Sequence, residues 1–545
     1  MNRPILLLIT ITTTLFFCAN SFSNTTNTPY KQEKQTISFV ETAQTLTTAK
    51  LKEIPSIINS LTVFNDQALP LFEALINSQL YYIKDSKQLI IAKKNADKSY
   101  ATTNIFKPEQ AINRSKKLIK KIRTNNKIRS LLRTAIARIQ LFNSDPTIRE
   151  NAANSIVTTL NKETAVLFEK ASKTETNKKV LKIINLGLTI YQLNSSDQQQ
   201  QLDAISSISG NLHPLVRNTL QQLIDTSDSP QINAAATHAL IKIEQKTTLY
   251  YYLEKIFFGL SLGSVLLLAA SGLAITFGVM GVINMAHGEM IMLGAYTTYV
   301  IQLLMPNHIE YSLFVAIPAA FLVSALVGII IERGVIQFLK GRPLETLLAT
   351  FGISLLLQQL VRSIFSPLNR QVLSPEFMTG ALEINPIFSI TYNRLYILFF
   401  ALLVFLILQL ILKKTSLGLN VRAVSQNRNM AKSMGIRTEW VDALTFGLGS
   451  GIAGIAGVAL SQITNVGPNL GQAYIIDSFM VVVFGGVGNL WGTLVGAFSL
   501  GIFNKFIEPV TGAVLANIIV LVGIIIFIQK RPRGLFPQKG RAAES

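Results

Sequence analysis

The segment GVINMAHGEMIMLGAY, residues 281–296, places three polar side chains in an otherwise apolar half of the chain. Asn284, His287 and Glu289 offer an amide, an imidazole and a carboxylate that could hold a polar ligand. An ionisable side chain at the centre of a bilayer costs roughly 3 kcal/mol, so such residues face a bundle interior, a cavity or the membrane interface. These residues could therefore line a conduction path, ligate a metal or form a structural polar network that joins two spans.

Metal binding and catalysis are the least favoured of these functions. His287 and Glu289 form a His-x-Glu pair, and no second histidine or carboxylate pair follows at ligand spacing. An intramembrane hydrolase would need a nucleophile or a metal pair, and Glu289 and Asp477 lack a matching partner. We therefore expect no catalytic residue, no metal and no cofactor, while the conduction path and the structural network both stay open.

The elements that must position these residues are apolar segments of membrane-spanning length, which begin after Tyr250. The predicted fold class is all-α, with a polytopic helical membrane domain over residues 249–536 that follows a soluble domain over residues 24–248. Three Gly-x3-Gly patterns, which start at Gly259, Gly447 and Gly492, predict closely packed helices. The apolar segments are residues 256–279, 290–305, 313–331, 346–364, 395–412, 441–463, 475–506 and 513–528.

The first 23 residues have the features of a secretory signal peptide. Arg3 precedes a short apolar run, and small residues at Ser21 and Ser23 suit cleavage. An anchoring helix is the alternative, although the run is short for a bilayer span. The only cysteine, Cys18, lies inside this segment, so its removal would leave a chain without thiol chemistry. The soluble domain is therefore expected on the outer, periplasmic side of a bacterial inner membrane.

Clusters of basic residues predict the topology of the membrane domain. Cations concentrate within residues 333–342, 413–437 and 530–541, and the positive-inside rule assigns all three clusters to the cytoplasm. A chain that starts outside and ends inside crosses an odd number of times. Breaking the segment 475–506 at GGVGNLWG gives about nine crossings, with a polar turn or a re-entrant segment at the break. The tail, residues 537–545, is then cytoplasmic.

The soluble domain is predicted to be mainly helical. Apolar residues recur at helical spacing in AINRSKKLIKKIRTNNKIRSLLRTAIARIQLF, residues 111–142, whereas LYYIKDSKQLIIAKK, residues 80–94, predicts one small β-hairpin. Stretches that begin at Pro146, Pro214 and Pro230 share an aliphatic residue two positions after the proline and an Ile or Leu ten positions after it. This pattern favours HEAT-like helical repeats, in which a proline pre-sets the first helical turn.

The overall charge does not indicate nucleic-acid binding. The formal net charge is +20 at pH 7, but an exported segment has little access to nucleic acid, and the cations are spread around predicted helices. A docking or scaffold function without chemistry of its own is the expectation for the soluble domain. Membrane lipid is the partner that the composition implies for the second half of the chain.

Three motifs together resemble the permease subunits of ABC importers for branched-chain amino acids and urea. GLAITFGVMGVINMAHGEMIMLGAY is similar to that family's signature. VRAVSQNRNMAKSMGIRTEWV, residues 421–441, is similar to its cytoplasmic loop, and FGGVGNLWGTLVGA, residues 484–497, to its late Gly-rich motif. The resemblance covers about residues 256–536 and implies that the substrate passes through without chemical change.

The resemblance further implies that part of the cytoplasmic loop docks on an ATPase. The spacing itself allows one or two helical turns that end at Gly435, a residue type common at helix C-caps, and an ordinary amphipathic connector is the alternative. The candidate coupling residues are Gln426, Asn427, Ala431, Met434 and Gly435.

Partners are expected because the chain contains no Gly-x4-Gly-Lys-Ser/Thr phosphate-binding loop. Separate ABC ATPase subunits must therefore supply the energy. The resemblance also implies a second, homologous permease subunit and a periplasmic substrate-binding protein.

The cargo is less sharply defined than the transport class. An exported helical extension resembles that of urea permeases, so urea is the expected cargo, with branched-chain amino acids as the alternative. A passive urea or amide channel is a further alternative, but a channel would not need a docking loop. A membrane receptor would not need this many spans. The candidate path residues are Asn284, His287, Glu289, Gln358, Gln359, Asn465 and Asn489.

Overall fold

The structure, a computed structural model, describes residues 39–95, 99–106 and 111–537. The predicted signal peptide with Cys18, and residues 538–545 of the predicted tail, lie outside the described residues. The chain divides into two compact units. The first, here called the N-terminal unit, comprises the residues through Ile208 together with Gln222–Ala236, and the second comprises Ser209–Gln221 and the residues from Thr237 onward.

After a helical segment over residues 39–44, the N-terminal unit contains two helices and a five-stranded sheet. The helices are α1 (Ile54–Thr62) and α2 (Leu69–Ile76), and the strands are β1 (Leu80–Ile83), β2 (Leu89–Lys94), β3 (Tyr100–Asn104), β4 (Ile112–Arg114) and β5 (Ile119–Lys121). The strand order is β4-β3-β2-β1-β5, and all neighbouring pairs are antiparallel. Leu80 and Leu89 on one face of the sheet share a core with Ile58 and Phe72 of the two helices.

The predicted hairpin is confirmed, but it belongs to this larger sheet. β1 and β2 pair with Tyr81 opposite Ile90. The prediction of helix from residue 111 is wrong, because residues 112–114 and 119–121 pair with β3 and β1. The next helix, α3 (Asn126–Gln140), starts where the Asn125 side chain accepts a hydrogen bond from the Ile128 backbone N–H at 2.8 Å. The helical spacing is therefore followed only after this cap.

Helices follow α3, and three of them begin at the predicted prolines. They are α4 (Pro146–Val157), α5 (Lys162–Thr174), α6 (Lys178–Leu193), α7 (Gln198–Ile208), α8 (Pro214–Thr226) and α9 (Pro230–Met280). In α9 the residues two, six and ten positions after the proline, Ile232, Ala236 and Leu240, are buried, as a buried stripe requires. The assignment of these helices to the HEAT type stays a prediction.

The second unit contains the apolar helices. They continue from α9 as α10 (His287–Leu304), α11 (Ile309–Gly334), α12 (Pro343–Phe365), α13 (Tyr392–Lys414), α14 (Ser416–Gln426), α15 (Arg428–Ser433), α16 (Thr438–Ser461), α17 (Leu470–Gly485), α18 (Leu490–Thr511) and α19 (Ala513–Lys530). Two short strands, β6 (Ala381–Glu383) and β7 (Ser389–Thr391), pair ahead of α13. Here α9 to α13 and α16 to α19 are called the membrane bundle.

Seven helices in the described part of the chain are long and apolar enough to cross a membrane. They are α9, α11, α12, α13, α16, α18 and α19. The predicted break in residues 475–506 is confirmed, because α17 ends at Gly485 and α18 begins at Leu490. The predicted domain boundary at residues 248/249 falls inside the continuous helix α9 and stays a prediction.

Small residues allow the bundle helices to approach closely, as predicted. A Cβ atom on Gly294 of α10 would overlap the Gly454 backbone of α16, and a Cβ atom on Gly457 would overlap the Ile291 backbone. A Cβ atom on Gly447 of α16 would meet Ile329 of α11. These contacts join α10, α11 and α16 with backbones too close for larger side chains.

Candidate functional site

The polar segment around residue 284 forms the connection between α9 and α10. After α9, Gly281 adopts a positive φ of 64°, and α10 begins at His287. The Asn284 Oδ1 accepts a hydrogen bond from the Ala286 backbone N–H at 3.0 Å and shapes the turn into α10. Asn284, His287 and Glu289 are all buried, so the connection brings three polar side chains inside the bundle.

His287 ties α10 back to α9. Its Nε2 lies 2.8 Å from the Ala269 carbonyl oxygen, so Nε2 is the nitrogen that donates. Its Nδ1 has no hydrogen-bond partner among the described residues, and the side chain is fully buried. The imidazole therefore holds the turn together and keeps one nitrogen able to accept a hydrogen bond.

Glu289 accepts hydrogen bonds from neutral donors on α12. The Ser354 hydroxyl donates to Glu289 Oε1 at 2.9 Å, and the Gln358 amide donates to the same oxygen at 2.7 Å. Glu289 Oε2 has no hydrogen-bond partner among the described residues. The three side chains are 1–4% exposed. Glu289 is thus a buried carboxylate with one oxygen free to accept from a donor or a cation.

Helix α12 supplies these donors from a polar stripe. Thr346, Thr350, Ser354 and Gln358 recur every four residues and are buried, whereas Leu348 on the opposite side is 70% exposed. The Thr350 hydroxyl accepts from the Met285 backbone N–H at 3.2 Å, so the stripe also supports the connection before α10. Sequence analysis included Gln358 but missed Ser354 and Thr350. Their four-residue spacing in an apolar helix was a signal that could have identified them.

The remaining path candidates do not join this site. Gln359 and Asn465 are exposed, which places them away from the buried Gln358. Asn489 caps α18, because its Oδ1 accepts from the Trp491 and Gly492 backbone N–H groups at 3.0 and 3.2 Å. The structure therefore brings Glu289 and Gln358 into direct contact, keeps Asn284 and His287 in the adjoining turn, and separates the other three candidates.

Asn489 instead lines a cavity of 620 Å³ at one end of the bundle. Gln426, the first of the candidate coupling residues, lines the same cavity. Lys413 and Arg422 contribute positive charge to its wall. The cavity therefore lies beside the segment that was predicted to be cytoplasmic.

The candidate coupling segment forms the short helix α15 with both ends capped. The Asn427 side chain accepts from the Met430 backbone N–H at 3.0 Å at the start of the helix. At its end, Gly435 has a φ of 88°, its N–H donates to the Lys432 carbonyl, and the following Ile436 N–H donates to the Ala431 carbonyl. This is a Schellman motif, so the predicted C-cap is confirmed.

Helix α15 presents one apolar side chain inward and others outward. Ala431 is buried against Val421, Val424 and Val441, whereas Met434 is 76% exposed. Met430 on the same helix is exposed as well. A capped helix that buries a small residue and exposes methionines is suited to contact another protein.

Four charged residues link α15 to the bundle, and sequence analysis missed this cluster. Arg428 of α15 makes two bonds to the Asp442 carboxylate of α16, at 2.6 and 3.0 Å. The Lys340 Nζ lies 2.6 Å from Asp442 and 3.5 Å from Glu332, which lies two residues before the end of α11. Asp442 and Glu332 are fully buried, and acidic residues at the ends of apolar segments were the signal available.

Comparison with known proteins points to one family. The family described as "Branched-chain amino acid transport system / permease component" matches residues 255–529. The high-affinity branched-chain amino acid transport system permease protein BraD of Pseudomonas aeruginosa is 29% identical over 296 residues, which are 53% of this chain and 96% of the relative. The corresponding LivH protein of Escherichia coli is 30% identical over 295 residues, 52% of this chain and 95% of the relative. No solved structure shows significant similarity to the chain.

The family match covers the part of the chain that contains Glu289, α12, α15 and the break before α18. The relatives are named as transport permease proteins and not as enzymes. Their names and the apolar helices together indicate an inner membrane protein. The chain belongs to the family of permease components of branched-chain amino acid transport systems.

Proposed function

We propose that this chain forms the translocation path of an ABC importer for branched-chain amino acids. The observation that carries this proposal is the family match to residues 255–529, together with the match of nearly the whole length of the BraD and LivH permeases. Separate ATPase subunits, a second homologous permease and a substrate-binding protein are the proposed partners. In this arrangement α15 lies on the ATPase side, and the N-terminal unit lies on the side from which the cargo arrives.

The chemistry around Glu289 supports an amino acid as cargo. Its Oε2 can accept from an ammonium group, which a free amino acid carries and urea lacks. Apolar residues adjoin the same faces of α10 and α12, where Met292 and Tyr296 pack with Val361. A buried acceptor beside an apolar cluster suits a small zwitterion with an aliphatic side chain.

The comparisons favour branched-chain amino acids over urea, the cargo that the N-terminal extension indicated in the sequence analysis. Urea is neutral, so a path for urea would not need a buried carboxylate. The polar donors Ser354 and Gln358 could serve either cargo. Urea therefore forms the parallel arm of the experiment.

Uptake in cells tests the proposed cargo. Uptake of labelled leucine and of labelled urea is measured at micromolar concentration in cells that lack this chain, and again after the chain is restored. We expect leucine uptake to fall and to be rescued, with urea uptake unchanged. Loss and rescue of urea uptake alone would assign urea as the cargo and leave the permease function in place. Unchanged uptake of both compounds would contradict the proposal.

A further inference from the structure

We infer that Asp442 is a positioning residue that fixes the coupling helix α15 to the membrane bundle and carries its movement to the helix that holds Glu289. This inference depends on the proposed transport function. It concerns how movement is transmitted, and it assigns Asp442 no contact with cargo. The four charged residues Glu332, Lys340, Arg428 and Asp442 are here called the ionic joint.

The contact between Arg428 and Asp442 has a geometry that resists rotation. The Arg428 Nη1 lies 2.6 Å from Asp442 Oδ2, and its Nη2 lies 3.0 Å from Oδ1. A bidentate contact of this kind fixes the relative orientation of both groups, which a contact through a single pair of atoms does not. Arg428 is the first residue of α15, so the start of α15 has a defined orientation relative to α16.

The joint extends from α16 to α11 through one lysine. Lys340 Nζ contacts Asp442 at 2.6 Å and Glu332 at 3.5 Å. Neither Glu332 oxygen accepts a hydrogen bond among the described residues, and its charge is compensated by Lys340 at 3.5 Å and by Arg333 Nε at 3.9 Å. A buried carboxylate left without a cation is strongly unfavourable, so the joint holds these residues together whenever α15 moves.

The helices that meet at the joint are packed too closely to slide independently. Gly454 of α16 contacts Ser324 and Ala320 of α11, and it lies against Gly294 of α10. The Ser324 hydroxyl donates to the Met290 carbonyl of α10 at 3.1 Å. Displacement of α16 at Asp442 therefore displaces α10, which carries Glu289 in its first turn.

The apolar contacts of α15 cannot provide the same constraint. Ala431 is the buried residue of α15, and its neighbours are small aliphatic side chains. Met430 and Met434 are exposed and are expected to contact the ATPase. Without the ionic joint, a force on these methionines would reach α16 only through the contact of Ala431 with Val441, which does not fix the orientation of α15.

The experiment measures uptake per ATP hydrolysed. The complete importer is purified with its partner subunits and reconstituted in liposomes, with labelled leucine and labelled urea as parallel probes. Arg428→Gln removes the bidentate contact and its charge, whereas Arg428→Lys keeps the charge but can make only a single contact. Asp442→Asn removes the negative charge that both cations contact. Lys414→Gln is the matched control, because Lys414 is an exposed cation at the end of α13.

We expect Arg428→Gln to assemble and to hydrolyse ATP, with uptake per ATP reduced roughly tenfold. Arg428→Lys gives an intermediate value, and Lys414→Gln leaves the ratio unchanged. If Asp442→Asn fails to assemble, the two Arg428 variants still decide the result, since Arg428 is part-exposed and its loss leaves Lys340 on Asp442.

The experiment distinguishes failure of the inference from failure of the proposed function. An unchanged uptake per ATP in Arg428→Gln would overturn the inference. The inference would also be overturned if uptake and ATP hydrolysis fell together with the amount of assembled complex, because the contact would then be structural only. Uptake of neither probe by the unmodified importer would overturn the proposed function, and the inference would fall with it.

Discussion

Two buried carboxylates in the membrane bundle have opposite kinds of partners. Asp442 is held by the cations Lys340 and Arg428, whereas Glu289 is held by a hydroxyl and an amide and keeps one oxygen without a partner. A carboxylate whose charge is compensated by fixed cations is suited to hold helices in place. A carboxylate with neutral partners keeps its capacity to bind a passing cation or donor. Burial alone therefore does not distinguish a binding residue from a positioning residue, but the partners do.

The comparison requires first that α10 and α16, the helices that carry Glu289 and Asp442, stay closely packed. Gly294→Ala would place a Cβ atom onto the Gly454 backbone, and we expect it to destabilise the bundle by about 3 kcal/mol and to abolish uptake. Gly352→Ala in α12 is the control, because no atom lies within 4 Å of its added Cβ. This control should be neutral or stabilising by up to about 1 kcal/mol, since alanine favours helix more than glycine does. Thermal unfolding of the solubilised complex measures both, and equal loss in the two variants would contradict the close packing.

The second prediction concerns Glu289, which has no cation within ion-pair distance among the described residues. Glu289→Gln keeps the size of the side chain and can still bond to Ser354 and Gln358. We expect uptake to fall roughly a hundredfold, because a charge-assisted bond to the cargo is lost while assembly is retained. Glu310→Gln, at an exposed glutamate in the first turn of α11, should leave uptake unchanged. Normal initial rates of uptake in Glu289→Gln would remove Glu289 from the path.

Two adjacent glutamines sharpen the comparison further. Gln358→Leu removes the amide that donates to Glu289, and we expect uptake to fall roughly tenfold through loss of one hydrogen bond. Gln359→Leu changes an exposed neighbour and should transport normally. The two variants have the same composition, so uptake assays at equal expression compare position alone. A larger loss in Gln359→Leu would place the path on the other face of α12.

A third carboxylate tests the role of the partner outside the membrane bundle. Arg149 donates to Glu175 at 2.7 and 2.8 Å, and these bonds hold the pKa of the Glu175 carboxyl below its ordinary value of 4.5. A lowered pKa in the folded state means that this pair stabilises above the ordinary pKa and that the contribution is lost as pH falls through the lower one. Glu175→Gln should thus destabilise α4 to α6 by about 2 kcal/mol at pH 7 and by less at pH 4, which is below the ordinary pKa.

Hydrogen exchange in the full chain measures that difference, since it reports local opening. Glu169→Gln, at an exposed glutamate of α5, is the matched control and should show no such dependence on pH. An effect of Glu175→Gln that is the same at both pH values would show that the ion pair does not supply the stability.

Local patterns in the sequence were sufficient for some features and not for others. The helix break at residues 485–490 and the cap at Gly435 follow from glycines whose φ or lack of a Cβ is needed at that position. The contact between Lys340 and Asp442 joins residues 102 positions apart, which no local pattern indicates. β4 and β5 were missed because cross-strand pairing overrode a helical spacing of apolar residues. Long-range packing also decided which predicted path residues lie in the site. Burial of Gln358 and exposure of Gln359 depend on which face of α12 packs inward, and the local sequence does not indicate that face.

The claim that the site around Glu289 lies on the transport path can be tested by thiol labelling. In a Cys18→Ser background, which removes the only native cysteine, Ser354→Cys places a thiol in the site, and Ser324→Cys places one in the equally buried contact between α11 and α10. Labelling by a small hydrophilic thiol reagent is followed in the reconstituted importer with and without ATP and the binding protein. We predict that turnover accelerates labelling of Ser354→Cys roughly tenfold and leaves Ser324→Cys protected. Equal protection of both thiols during transport would contradict the account.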